Sequence, residues 1–315
     1  MRTKEIFPVL MAVAIVAVMT AAAELFGNKE IIFPEIAAIA AGGLIAPKLV
    51  WNTDKKRILF FITICAALGV GIVRYVPLSL WAQMTAAFFV SQVIFIYSGT
   101  TFAPMISAIV LPVMLQTETV IYLISAVLLT SLILLSRYLL EKQGILEETG
   151  YKKEKLPQIK EYKSAALRMV IGTAVIFAAV NLDVKFVVAP PLLVAFTEFS
   201  KPSCGARKKA VKAVALIGGS ALVGAVFRYV FCMRLGIFPL YLAAAATMLT
   251  VILLMKKIGM FLPPAGAVSI LAMLIPESAV LWFPVQITVG AAVAMGAALL
   301  FFREDIGRGK AEEER

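Results

Sequence analysis

The sequence predicts an all-α, polytopic membrane protein built from two tandem homologous halves. Three observations carry that expectation. Apolar residues make up 61% of the 315 positions against 16% charged. They come in uninterrupted blocks of about 20 residues, the length of helix that spans a bilayer core. Finally, the second half repeats residues of the first in register. Such blocks are too continuous to be the buried stripes of soluble helices, and the short alternating strands of a membrane barrel are absent. A helix satisfies its own backbone hydrogen bonds, as a lipid solvent requires.

In chain order, the apolar runs and their breakers give spans at 6–25, 31–50, 58–76, 78–97, 102–115 and 120–139. After a charged stretch come 165–182, 186–199, 213–230, 237–255, 260–275 and 280–302. The runs 102–115, 186–199 and 260–275 are shorter than a full span and are expected to be tilted, broken or re-entrant. Each half then has six crossings, or five if the short segments turn back, in which case the second half is inverted. Domain limits follow at 1–141 and 165–303 for the two halves, 142–164 for a charged cytoplasmic linker and 304–315 for a charged cytoplasmic tail. Proline marks the second span of each half, with Pro34 and Pro190-Pro191 at the start and Pro47 and Pro202 at the stop. With Gly42-Gly43 inside, this pattern suits broken helices lining a transport site, and equally plain starts and stops. Arg2 and Lys4 before an apolar stretch, then Ala21-Ala22-Ala23, resemble a signal peptide. The internal repeat includes this segment, so it is expected to stay as the first span.

The duplication is read from residues that hydrophobicity alone would not align. Residues 67–76 and 221–230 match without gaps, sharing Ala, Leu, Arg, Tyr and Val, the Arg-Tyr pairs being Arg74-Tyr75 and Arg228-Tyr229. Phe102, Pro104, Ala108, Met114 and Glu118 fall opposite Phe261, Pro263, Ala267, Met273 and Glu277 at one constant offset.

The net charge of +11 sits in short clusters between apolar runs, which marks topology rather than a nucleic-acid surface. With six crossings per half, 25 of the 30 basic residues fall on one side, leaving Lys29, Arg74, Lys185, Arg228 and Arg234 on the other. The positive-inside rule then puts both termini in the cytoplasm and favours parallel halves. Five crossings would instead place Arg207, Lys208 and Lys209 outside. The linker, with Lys152, Lys153, Lys155, Lys160 and Lys163 among glutamates, reads as a solvated loop near anionic headgroups.

Catalytic and metal chemistry find few residues. There is no histidine, aspartate occurs only at 54, 183 and 305, and Cys65, Cys204 and Cys232 are far apart. No enzyme activity, metal or cofactor is expected. The richer signals are two helix starts: Thr100, Thr101, Pro104 and Ser107 in the first half, and Pro263, Pro264, Ala265 and Gly266 in the second. Proline suits the first turn of a helix, and a helix start at membrane depth offers N–H groups and positive dipole to an anion. The alternative is an ordinary interfacial start whose small residues pack against neighbours. Arg74 and Arg228 could clamp a planar anion, or snorkel beside an aromatic-belt tyrosine. Glu198 is the candidate proton relay, or else an interfacial partner of Lys201. Glu24, Glu35, Glu118 and Glu277 also lie near span ends.

Leu262-Pro263-Pro264-Ala265-Gly266-Ala267 resembles the signature of the HPP family of integral membrane proteins, named for His-Pro-Pro and usually continuing Ala-Gly-Ala. Leu262 replaces the histidine, and the first half keeps only Pro104. Some members of that family are linked to nitrite transport across cyanobacterial and chloroplast membranes. The resemblance implies a small-anion transporter or channel, with Pro263, Pro264, Ala265 and Gly266 as the carried-over positions. The expected function is a permease for a small anion or small polar solute in a prokaryotic plasma membrane, its site between the halves. A non-transporting scaffold or regulatory subunit is the competing class. The expected partners are the lipid bilayer and a small-molecule or ionic substrate, with no nucleic acid; a homo-oligomer is compatible with this pattern.

Overall fold

The computed structural model describes residues 3–46, 48–148, 150–153 and 157–302. The expected stop at Pro47, Lys155 of the linker and the tail 304–315 lie outside the described residues. Among the described residues there are twelve α-helices and no strand. Eight helices are long and apolar enough to cross a membrane. They are α1 (Thr3–Leu25), α3 (Lys55–Tyr75), α4 (Leu80–Tyr97), α6 (Val120–Lys142), α7 (Ile159–Asn181), α9 (Ala210–Val226, continued as a π-helix to Arg234), α10 (Leu240–Ile258) and α12 (Phe283–Phe301). The other four are short: α2 (Glu35–Ala40, continued as a π-helix to Ile45), α5 (Pro104–Leu115), α8 (Pro190–Phe199) and α11 (Pro263–Leu271). The expected spans 31–50, 186–199 and 260–275 thus contain less helix than their apolar length suggested. Proline sets where each helix begins, and a π-helix at Ala41–Ile45, a 3-10 helix at Lys185–Val188 and turns after Leu271 take up much of the rest. Helix α7 starts at Ile159, ahead of the boundary expected at 165.

The short helices form the centre. Helix α2 packs on α11, α5 packs on α8, and α2 with α5 and α8 with α11 complete the group, while the long helices surround them. Apart from a partly exposed Glu198 in α8 and Leu115 at the end of α5, every residue of these four helices is buried. Buried helix ends are costly because four N–H and four C=O groups lack intrahelical partners. The chain solves the N-terminal end with proline: Pro34, Pro104, Pro190 and Pro263 stand at the four starts, where the missing N–H removes one orphan donor. It solves the C-terminal end with donors. Arg137 donates to Gly43 O at the end of α2. Arg207 donates to Phe199 O at the end of α8 (3.3 Å), and Gln116 Nε2 to Val113 O at the end of α5 (2.8 Å). Arg228 donates to Ile275 O (2.6 Å) and Ala272 O beyond α11. A guanidinium also complements the negative end of the helix dipole.

Hydrogen bonds between distant segments show which helix ends lie together. At one end, Lys55 pairs with Glu141, Thr101 N donates to Asn52 O (3.2 Å), Tyr162 reaches Tyr97 (3.0 Å) and Arg207 reaches Phe302 O (3.0 Å). At the other, Leu240 N donates to Glu24 (2.7 Å), Thr119 to Glu30, Gln116 to Gln83 (2.8 Å) and Phe186 N to Gln286 (3.1 Å). The segments holding the short helices therefore run from one end of the bundle to the other. Helices α1 and α7 both start at the first end, which carries most of the basic residues.

Close helix approach rests on glycine. A Cβ at Gly224 of α9 would collide with the carbonyl of Ser269 in α11, whereas one at Gly71 of α3 would meet nothing within 4 Å. Gly224→Ala is expected to lower stability by about 1–3 kcal/mol through overpacking against backbone. Gly71→Ala should be neutral or slightly stabilising, and thermal unfolding in detergent compares the two.

Candidate functional site

At the basic end the four short helices converge on Trp51, which follows α2 and is 3% exposed. Its ring stands edge-on to Phe102, just before α5, with centroids 5.1 Å apart. A Cβ at Gly42 would sit 2.8 Å from Trp51 Cζ3 and 3.1 Å from Pro263 Cγ, so the indole and the start of α11 both press on α2. Trp51 Nε1 donates to Glu198 Oε1 of α8 (3.1 Å). One indole therefore touches the segments of α2, α5 and α8, with α11 adjoining, and closes the centre at this end.

Beside this plug lies an open cavity of about 830 Å³, between the loop entering α5, the start of α7 and the residues following α8. Lys152, Lys153, Lys160, Lys201 and Arg168 line it, with the hydroxyl-bearing Thr100, Thr101 and Ser200 among them. Glu161 is the one carboxylate among its described lining residues, and that carboxylate accepts from Gln158 N. A concave, lysine-lined site focuses positive potential and draws in anions. Its floor is tied down by a buried network joining α4, α7 and α8. Arg168 Nε donates to Gln92 Oε1 (2.8 Å), Gln92 Nε2 to Thr197 Oγ1 (3.0 Å) and Arg168 to Ser200 Oγ (3.3 Å). The 142–164 linker, expected as a solvated loop, packs here: Tyr151 donates to Gly99 O (2.8 Å), Asn52 Nδ2 to Lys152 O (2.6 Å), and Arg57 lies over the Tyr151 ring at 4.0 Å.

A second polar place is deeper. Glu35, first residue of α2, is 1% exposed and accepts from Ser107 Oγ of α5, while its Oε2 has no hydrogen-bond partner.

The expected site residues divide accordingly. Thr100 and Thr101 line the basic cavity. Their hydroxyls are also engaged by the loop itself, Thr101 Oγ1 accepting from Asn52 N (2.8 Å) and Thr100 Oγ1 from Phe102 N (3.2 Å). Pro104, Ser107, Pro263, Pro264, Ala265 and Gly266 are buried in the short-helix core. The small residue at Gly266 serves a helix contact, a Cβ there lying 2.8 Å from Ala37 O of α2. Ala265 N already donates to Leu262 O (3.0 Å). The paired arginines differ: Arg74 is exposed, whereas Arg228 is 3% exposed and bonded to carbonyls of the α11 segment. Glu198 meets Trp51, with Lys201 as an electrostatic neighbour. In the sequence Glu35 is one of several acidic residues near span ends. The signal that distinguishes it is its place immediately after Pro34, at the start of the short, wholly buried helix α2.

Eight long apolar helices around a buried group of short ones make this a multi-pass, all-helical membrane protein. No protein family, curated protein or solved structure matches the chain.

Proposed function

We propose that the protein is a transporter or channel-like permease for a small anion or small polar solute, set in a prokaryotic plasma membrane with both termini cytoplasmic. The observation that carries this reading is the lysine-lined cavity of about 830 Å³ between the entry of α5, the start of α7 and the residues following α8, so that elements of both halves line it. Broken helices at the interface of repeats are where membrane carriers place their sites, and irregular backbone at membrane depth is tolerated where protein encloses it. Two parallel halves of six segments each account for the packing. Helix α1 packs on α10 as α7 does on α4, α3 on α5 as α9 on α11, and α2 on α11 as α8 on α5. The resemblance to HPP proteins at Pro263-Pro264-Ala265-Gly266 points the same way.

A specific observation favours the second reading, a membrane scaffold: the starts of α5 and α11 are closed by apolar packing instead of facing a shared polar space. Uptake of small anions, nitrite and formate included, into proteoliposomes separates the two. A permease should admit at least one anion faster than protein-free vesicles. Replacing Lys152, Lys153, Lys160 and Lys201 together by glutamine should slow that uptake by about tenfold at low salt, with the gap narrowing as salt screens the cavity. Uptake no faster than in protein-free vesicles for every anion tested supports the scaffold.

A further inference from the structure

We propose that Glu35 is a proton-binding carboxyl, holding a proton while the short helices enclose it and exchanging it when they part. The proposal uses the permease reading for its purpose, which is to couple solute movement to protons, but its chemistry stands on the local geometry. Glu35 is 1% exposed, and one oxygen accepts from Ser107 while the other is buried without a partner. An unpaired carboxylate shut away from water is costly by several kcal/mol, and a proton removes most of that penalty.

Among the described residues, the surroundings supply no compensating cation. Helices α5 and α11, which pack on α2, contain no ionisable side chain. From α6 the neighbour is Tyr122, whose hydroxyl donates to Ala108 O (3.0 Å) and whose ring stands edge-on to Phe33 at 5.6 Å; Cys65 of α3 adjoins Tyr122. Arg137 and Glu141 of α6 are engaged at the other end of α2, with Gly43 O and with each other. From α1, Glu24 is occupied with the backbone N–H groups of Leu240 and Tyr241, and Glu30 in the following turn with Thr119. Lys29 lies beside the separate cavity lined by Arg228 and Glu277.

The arrangement also suits exchange. Glu35 belongs to α2 and Ser107 to α5, so the bond between them spans two short helices of the same half. Movement of α2 against α5 would break this bond and open the carboxyl to water and to a new acceptor for its proton. The step is a simple transfer: the carboxyl O–H bond breaks, water or a buffer base takes the proton, and a carboxylate remains.

Infrared difference spectroscopy of proteoliposomes tests this without any substrate. The wild-type protein should show, at neutral pH, a protonated-carboxyl C=O band that shifts down in D2O. Glu35→Gln should lack it and Glu198→Gln should keep it. Because a hydrogen-bonded carbonyl vibrates at lower frequency, Ser107→Ala should retain the band at higher frequency, a readout that needs no change at Glu35 itself. Carboxyl bands unaffected by both Glu35→Gln and Ser107→Ala mean that Glu35 is ionised, and overturn the proposal. That outcome leaves anion uptake to be judged by its own assay, so the two readings fail separately.

Discussion

Replacing Arg137 by methionine is expected to cost about 3–5 kcal/mol, the range for breaking a buried ion pair by removing one partner. Arg137 lies within the long helix α6 with its side chain 5% exposed, and its Nε donates to Glu141 Oε1 (2.7 Å) one turn on. Its other nitrogens reach Gly43 O at the end of α2 and Glu147 O (3.3 Å) in the linker. The change strands a carbonyl at a buried helix end and removes one of two cations on Glu141, whose side chain is 6% exposed and keeps only Lys55. Lysine should not rescue, because a single ammonium cannot hold these divergent acceptors as a planar guanidinium does. Arg137→Met with Glu141→Gln should cost less than the sum of the single changes, since both charges leave together. Thermal unfolding in detergent reads these variants and Glu141→Gln alone, with the exposed Arg234→Met, a loss of at most about 0.5 kcal/mol, as the control. An Arg137→Met protein as stable as the wild type would show that the end of α2 needs no donor.

Trp51→Ala should destabilise by a similar amount, about 3–5 kcal/mol, because a fully buried indole is removed from a site that cannot collapse around it. The ring fills the space bounded by Gly42, Phe102 and Glu198, whose positions are set by three different short helices or the turns beside them. Trp51→Phe keeps most of the packing and loses the donor to Glu198, so it should cost only about 1–3 kcal/mol. The pair has a functional counterpart. If the permease reading holds, the alanine variant joins the basic cavity to the short-helix core and should leak small anions without selectivity, while the phenylalanine variant stays tight. Efflux from preloaded vesicles distinguishes them, and equal tightness in both would remove Trp51 from its role as a plug.

Much of the fold was legible before the structure, and unevenly so. The eight long helices fall close to the apolar runs expected for them, and the prolines at Pro34, Pro104, Pro190 and Pro263 marked the starts of the short helices. The extent of those short helices was hidden, because hydropathy counts apolar residues whether they are helical or extended. The run 31–50 reads as one span in the sequence, yet its α-helix stops at Ala40 and widens into a π-helix that ends at Ile45, ahead of Trp51. The candidate site was less legible. Thr100 and Thr101 line the basic cavity, Gly266 packs on Ala37, Arg228 binds carbonyls, Glu198 accepts from Trp51, and Glu35 is buried at the start of α2.

The sequence by itself determined that the chain is helical, where its long apolar helices lie and which ends carry the basic residues. Each of these depends on the solvent and the nearest few neighbours along the chain, since span length answers to bilayer thickness and capping to adjacent residues. Only the tertiary structure decided that Arg137 serves Gly43, 94 residues away, that Trp51 serves Glu198, 147 residues away, and that Ser107 serves Glu35, 72 residues away. Those pairings arise because breaking a helix inside a membrane protein leaves backbone and side-chain polar groups that water cannot reach. Their partners must then come from whichever segment the packing brings alongside.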